Sequence, residues 1–321
     1  MRIANFTFKD GDIQTPRPGV VIADEVVDLR RISESASVPR AAELDGARDM
    51  LSLISKFPDI RAGFFDLLER AGNEDAIRDA STNLNNVKLT APVERPGKII
   101  CLAGNYREHI KESGYVAPEQ ADVITQQLFI KPSTSIIGND DEILITKSNV
   151  RVGWETELAV VVGKRGKNIP SDSAHEYVFG YTILNDVSER GLNSRIENRK
   201  QREMDRFLDW LAGKWFDTFA PCGPWIVTPD QVGDPHNLNI QLTINGEVRQ
   251  RGNTRDMLFS IPEQIAYAST IMTLEPGDII STGTPAGAGT GGGDSSLHDG
   301  DELVCEIEKI GMLKNRVRYV D

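Results

Sequence analysis

Asn239-Ile240-Gln241-Leu242-Thr243-Ile244 alternates polar and apolar side chains, Asn245-Gly246 follows, and Glu247-Val248-Arg249 resumes the extended pattern. Alternation with period two gives a strand one buried face, and Asn-Gly supplies the positive-φ residues of a tight hairpin. A chain carrying this segment must build antiparallel sheet. Further short β-branched or alternating runs, at Lys98–Leu102, Leu158–Gly163, Tyr181–Leu184 and Leu303–Ile310, end at turn residues. Pro262–Met272 reads as a helix, with proline in its first turn and Ile265, Ala268, Ile271 and Met272 on one face. Strands dominate, and the βαβ rhythm of a parallel sheet is missing. The expected fold is mainly β, of the α+β kind, with inserted helices.

The first ninety residues read differently. Gly19–Ala23 and Val26–Leu29 flank Asp24-Glu25 as a hairpin, and residues 48–72 place Met50, Leu51, Leu53, Ile54, Phe64, Phe65, Leu67 and Leu68 at helical spacing. Asn83–Asn86 and the Pro92/Pro96 pair read as a linker. The expected division is a small α/β module over 1–92 and a larger domain over 93–321, which suits 321 residues at roughly 100–200 per domain.

Composition narrows the function. A formal charge of −12 opposes nucleic-acid binding, which needs clustered cations to displace counterions from phosphates. No apolar run approaches the ~20 residues of a membrane helix, and Lys9 and Asp10 interrupt any early signal-peptide core. Cys101, Cys222 and Cys305 are odd in number and form no CxxC pair, so neither a disulfide framework nor a cysteine zinc site is expected, and the cytoplasm is the natural compartment. With four scattered histidines and no HExxH, a metal would be held mainly by carboxylates.

Glu155 and Glu157 lie two apart at the mouth of an apolar strand, hence on one face. Like charges held so close repel, and a cation relieves them. Alone, such a pair more often marks a solvated strand edge. Asp186 ends the next apolar run, Phe179–Leu184, and if the two strands are neighbours three hard oxygen donors converge, a set suited to Mg²⁺ rather than Zn²⁺. His109 and Glu112 are three apart, so a helical turn makes them neighbours, and a carboxylate beside an imidazole prepares a base that can activate water. The plain alternative is a surface pair. Lys214, in Gly213-Lys214-Trp215-Phe216, is either a snorkelling surface residue or a fixed charge for an enolate. The stretch between Asp186 and Lys214 reads as a helical excursion with a solvated charged face. Gly287–Gly292 matches GxGxxG, but Gly293-Asp294 forbids the helix that a dinucleotide site needs. Ser281-Thr282-Gly283-Thr284-Pro285 offers hydroxyls and N–H groups at a strand end that can hold a carboxylate or carbonyl.

Taken in order, Asn105-Tyr106-x-x-His109-x-x-Glu112, Phe129-Ile130-Lys131-Pro132-Ser133 and Glu155-x-Glu157-Leu158-Ala159-Val160-Val161 resemble the fumarylacetoacetate hydrolase family. So do Gly180-Tyr181-Thr182-x-x-Asn185-Asp186-Val187-Ser188-x-Arg190, Gly213-Lys214-x-Phe216-Asp217 and Pro276-Gly277-Asp278-Ile279-Ile280-x-Thr282-Gly283-Thr284-Pro285. The resemblance runs over about residues 98–320, and residues 1–90 resemble the leader module of longer bacterial members. It implies a mixed β-sandwich roll, a homodimer, and a small keto or diketo acid as substrate. By position it implies Glu155, Glu157 and Asp186 as Mg²⁺ or Mn²⁺ ligands, with His109 and Glu112 as a water-activating dyad on a lid. Lys214 would steady an enolate, and Tyr106, Lys131, Ser133, Arg190 and Thr284 would contact substrate. The implied reaction is hydrolysis of the C–C bond of an acylpyruvate or 2,4-diketo acid to a carboxylic acid and pyruvate. Decarboxylation or tautomerisation of oxaloacetate is the alternative within the family, and a non-catalytic metal or sugar-acid binding module is the alternative of another class.

Overall fold

A computed structural model describes residues 1–10, 15–34, 49–57, 74–118, 124–149, 151–289 and 295–321. Two sheets pack face to face. Among the described residues the larger has twelve strands and the smaller five, with a two-stranded ribbon beside them. Strands dominate and helices are inserted, as expected.

The centre of the large sheet is the Thr156–Val162 strand, buried along its whole length. It pairs antiparallel with Val178–Asn185 on one side and with Ile279–Ser281 on the other. Leu158, Val160 and Val162 face the core shared with the small sheet, where Ile240, Leu242, Leu303, Cys305, Leu313 and Val317 meet them. Ala159 and Val161 face the opposite side, covered by Leu29, Ile32, Leu53 and Ile54. Burial on both faces explains why this strand is a continuous β-branched run rather than an alternating one.

The small sheet contains the segment that opens the sequence argument. Asn239–Ile244 pairs with Glu247–Asn253, Ile244 opposite Glu247, and Asn245 and Gly246 both have positive φ. Ser260 and Glu263 form a capping box at the start of the Ile261–Ile271 helix, one residue earlier than its proline suggests.

Three local expectations are corrected. The N-terminal hairpin pairs Ile22 with Glu25, so its turn is Ala23-Asp24, one residue before the expected pair. Asn83–Asn86 is no linker: Ser81–Asn83 is a strand paired with Glu25–Val27, the Asn83 side chain caps the short turn Leu84–Asn86, and Val87–Leu89 pairs with the first strand. The excursion after Asp186 is helical only at the 3₁₀ turn Leu192–Ser194 and the helix Asp205–Ala212. Met50–Ile54 lies on a helix over 50–57, whereas Phe64, Phe65, Leu67 and Leu68 fall outside the described residues, as does part of the glycine-rich segment. Strand Arg2–Phe8 joins the large sheet by pairing with Ala220–Val227. No helix among the described residues is long and apolar enough to cross a membrane.

Candidate metal centre

The conditional in the sequence argument is met: the strands that lead to Glu155, Glu157 and Asp186 are neighbours, with Thr156 opposite Asn185 and Glu157 opposite Leu184. Two ties draw the strand ends together. The Asp186 amide donates to the Glu155 carbonyl at 2.8 Å, and the Glu155 amide to Asn185 Oδ1 at 2.9 Å. Each of the three acids then offers an oxygen such that all lie within 4.8 Å of one another, and all three side chains are buried. Strand alternation puts Glu157 on the side of Ala159 and Val161, away from the small sheet.

Three cations already face these acids. Lys214 Nζ donates to Glu155 Oε2 at 2.9 Å and to Asp186 Oδ2 at 2.6 Å. Lys131 Nζ donates to Asp186 Oδ1 at 2.6 Å and to the Val187 carbonyl at 3.1 Å. Arg190 Nη2 donates to Glu155 Oε1 and also to the Ala288 carbonyl at 3.3 Å. Lys214 is no snorkelling surface residue: it is 2% exposed and stands over the rings of Phe129 and Trp210. Glu157 is held differently, by the Ser281 hydroxyl at 2.6 Å and the Gly283 amide at 2.8 Å. Both bonds land on Oε2, which leaves Oε1 as the oxygen for a cation. The Ser281–Pro285 turn does hold a carboxylate, as its groups allow, but that carboxylate belongs to the chain.

The charges follow from these contacts. Burial pushes the Glu155 carboxyl up, but Lys214 and Arg190 outweigh it and keep it well below the usual carboxylate range. Burial, then the charges of Asp186 and Glu155, drive Glu157 well above that range. Burial opposes the Lys214 ammonium, yet Asp186 and Glu155 hold its pKa above the ordinary lysine value. Glu157, which alone of the three acids makes no ion pair among the described residues, is thus the one most in need of a cation. Three converging carboxylates, one with an uncommitted oxygen, fit a hard divalent ion. With three basic side chains around three acidic ones, a dication would add a net charge of +2 to a buried site, which a chelating dianion would offset.

His109 and Glu112 lie on the Arg107–Glu112 helix, with His109 Nδ1 3.6 Å from Glu112 Oε2. The adjacent His109 imidazole foremost, against partial burial, and the Gly287 amide at 2.9 Å hold the Glu112 carboxyl below its ordinary value. His109 is near enough to Glu155 to act on its charge. Tyr106, just before the helix, is buried, and its hydroxyl has no hydrogen-bond partner among the described residues. Burial first, then Glu157 and Asp256, push its phenol well above the usual value. The Thr284 hydroxyl donates to the Thr156 carbonyl at 2.9 Å and accepts from Gln250 Nε2 at 2.9 Å. Ser133 is exposed at the first position of the turn after Lys131-Pro132.

Contacts therefore join Glu155, Asp186, Lys131, Lys214 and Arg190 directly, and His109, paired with Glu112, is linked to them through its electrostatic effect on Glu155. Sequence reasoning missed Ser281 and Gly283 as holders of Glu157, along with Gln250 and Asn105. Only the hydroxyl-rich turn carried a local signal. The Asn105 side chain donates to the carbonyls of Thr282 at 2.7 Å and Phe259 at 3.2 Å and accepts from the Phe259 amide at 2.8 Å, which ties the histidine segment to the rest of the site.

Comparison with known proteins matches residues 98–318 to the C-terminal domain of fumarylacetoacetate (FAA) hydrolase. The chain belongs to the fumarylacetoacetate hydrolase family. It is 44% identical over 234 residues to the human mitochondrial oxaloacetate tautomerase FAHD2A, covering 73% of this chain and 70% of that protein. Among solved structures it is similar to maleylpyruvate hydrolase from Sphingobium sp. SYK-6 in complex with manganese(II) and pyruvate, at 31% identity, a TM-score of 0.73 and full coverage of both chains. It is also similar to 5-carboxymethyl-2-hydroxymuconate delta-isomerase from Mycobacterium smegmatis, at 30% identity, a TM-score of 0.70 and full coverage of both. These family members are enzymes, and the keto-acid chemistry of their names agrees with an acidic, metal-ready site.

Proposed function

We propose that this family member is a metal-dependent hydrolase that cleaves the C–C bond of an acylpyruvate or related 2,4-diketo acid to a carboxylic acid and pyruvate. The observation that carries this reading is the His109–Glu112 pair, with His109 in electrostatic reach of Glu155 in the buried Glu155, Glu157 and Asp186 cluster. Glu155, Glu157 and Asp186 would hold Mg²⁺ or Mn²⁺, which when bound supplies Lewis acidity to the keto-acid oxygens.

The chain's own residues do the rest. With Nδ1 turned to Glu112, His109 Nε2 takes the proton from water, and the hydroxide attacks the distal carbonyl. The C–C bond breaks as its electron pair moves into an enolate, which the Lys214 ammonium stabilises. Return of a proton to carbon releases pyruvate. Arg190 and the unpartnered Tyr106 hydroxyl meet the polar end of the substrate, Lys131 steadies Asp186, and Ser133 stands at the rim. Residues 93–321 form the catalytic domain and 1–92 a small module, since every proposed site residue falls after 93.

A second reading, enol–keto tautomerisation of oxaloacetate, is favoured by the identity to the human tautomerase. The same base would move a proton between carbon and oxygen without consuming water. Incubation with Mg²⁺ and, separately, acylpyruvates and oxaloacetate, followed by NMR of the products, tests both. Release of a carboxylic acid with pyruvate is expected. Faster ketonisation of oxaloacetate with intact acylpyruvate selects the second reading, and inertness to every substrate rejects both in favour of a binding module.

We also propose that the chain pairs with a second copy, because Met204, Phe207 and Leu208 leave an apolar face exposed on and beside the Asp205–Ala212 helix. Three free buried cysteines support a reducing compartment, and we place the protein in the cytoplasm.

A further inference from the structure

The strand that carries the acids is unevenly supported. Val178–Asn185 covers it from Thr156 onward, but Ile279–Ser281 covers only Ala159–Val161. Thr156, between the two glutamates, therefore has no strand partner on that side, although it is fully buried. A buried peptide N–H and C=O left unpaired would cost too much to persist.

A closed ring of side chains supplies the missing partner. Gln250 Oε1 accepts from the Thr156 amide at 2.9 Å, and Gln250 Nε2 donates to Thr284 Oγ1 at 2.9 Å. Thr284 Oγ1 in turn donates to the Thr156 carbonyl at 2.9 Å. The second Nε2 hydrogen goes to the Pro285 carbonyl at 3.0 Å. Gln250 is 1% exposed and belongs to Glu247–Asn253 of the small sheet, which packs on the face away from the acids. Its amide is thus spent entirely on backbone and on Thr284.

We infer that Gln250 is a positioning residue for the metal ligands, with Thr284 as its relay: together they fix the peptide from which Glu155 and Glu157 project. The inference rests on the proposed metal centre. A free Thr156 peptide can rotate, and rotation there swings both glutamate side chains out of convergence with Asp186. Partners outside the ligand set orient metal ligands and tune affinity, and Gln250 and Thr284 would do so through the backbone. Asn315 is the natural contrast. It is a buried side chain of the small sheet that donates to the Gly138 and Asp141 carbonyls at 2.9 Å each, and those bonds reach neither the Thr156 peptide nor the acids.

The test is Mn²⁺ titration by calorimetry and by electron paramagnetic resonance, on the full chain, with thermal melts to establish folding. Gln250→Met is expected to weaken Mn²⁺ binding by about 10–100-fold. Thr284→Val should weaken it in the same direction, and Thr284→Ser, which keeps the hydroxyl, should bind close to the native value. Asn315→Ala should leave Mn²⁺ affinity close to native. Native Mn²⁺ affinity in folded Gln250→Met and Thr284→Val overturns the inference. So does an equal loss in Asn315→Ala, because that would reveal general loosening. If Gln250→Met does not fold, the Thr284 Ser and Val pair decides the matter. Failure of the native chain to bind Mn²⁺ is a separate outcome: it removes the metal centre itself, and this inference with it.

Discussion

Lys214 Nζ lies 2.6 Å from Asp186 Oδ2, a fully buried ammonium on a carboxylate that also faces the proposed metal position. One side chain thus ties the acid cluster together and presents a positive charge where an enolate would form. Lys214→Met should lower kcat about 10²–10³-fold, the scale for loss of a fixed electrostatic stabiliser. Because it leaves buried acids less well compensated, it should also cost about 3–5 kcal/mol of stability. Steady-state kinetics and urea denaturation measure the two effects, and a variant of native kcat would remove Lys214 from the chemistry.

His109 is not among the clustered oxygen donors, so base and metal functions should separate. His109→Ala should reduce kcat about 10²–10⁴-fold, the usual contribution of a positioned base. Mn²⁺ affinity should stay near native, which calorimetry on the same sample reports.

The pairing of three acids with Lys131, Lys214 and Arg190 bears on the order of binding. Oxalate, a chelating dianion, should tighten Mn²⁺ binding, and Mn²⁺ should tighten oxalate binding by the same factor, since coupling is reciprocal. A coupling of at least about tenfold, or roughly 1.4 kcal/mol, is expected. Equal Mn²⁺ affinity with and without oxalate would contradict the charge argument.

Glu112 gives a pH signature. Its pKa is lowered in the folded chain, principally by the neighbouring His109 imidazole, so the folded state favours the ionised form. The resulting stability is complete above the unfolded glutamate value of about 4.3 and drains away as pH falls through the lower folded value. Glu112→Gln should flatten the stability profile below about pH 4.3 and leave it parallel to native above. Chemical denaturation at stepped pH detects this, and identical acid limbs would refute it.

Burial pushes the thiols of Cys222 and Cys305 up to about 12 and that of Cys101 well above the usual range. Thiolate is the reactive form, so the native protein at pH 8 should react negligibly with a disulfide reagent. Guanidinium should expose three equivalents. Rapid labelling of the native chain would show that one of these thiols is reachable.

The strand runs, the Asn245-Gly246 hairpin and the helix after Ser260 were legible because hydrophobic period and turn chemistry are local. Glu155, Glu157 and Asp186 were legible for the same reason, each standing at the end of an apolar run. Lys214 was ambiguous between surface and interior, since a lysine among aromatics looks alike in both until its partners are known. Gln250 carried no signal at all: it sits in an alternating strand like any polar residue, and its meaning depends on a sheet-to-sheet contact with Thr156, 94 positions away. The parallel pairing of Ile279–Ser281 with Ile99–Cys101 was equally hidden, because nothing local announces a partner so distant along the chain.

That pairing has a consequence for how the molecule is made. During synthesis the three acids leave the ribosome long before Gln250, Ser281, Gly283 and Thr284, so a nascent chain holds the charges without the frame that makes them converge. Non-local strand pairing is slow to form. The acids therefore reach their final frame only when the last quarter of the polypeptide docks.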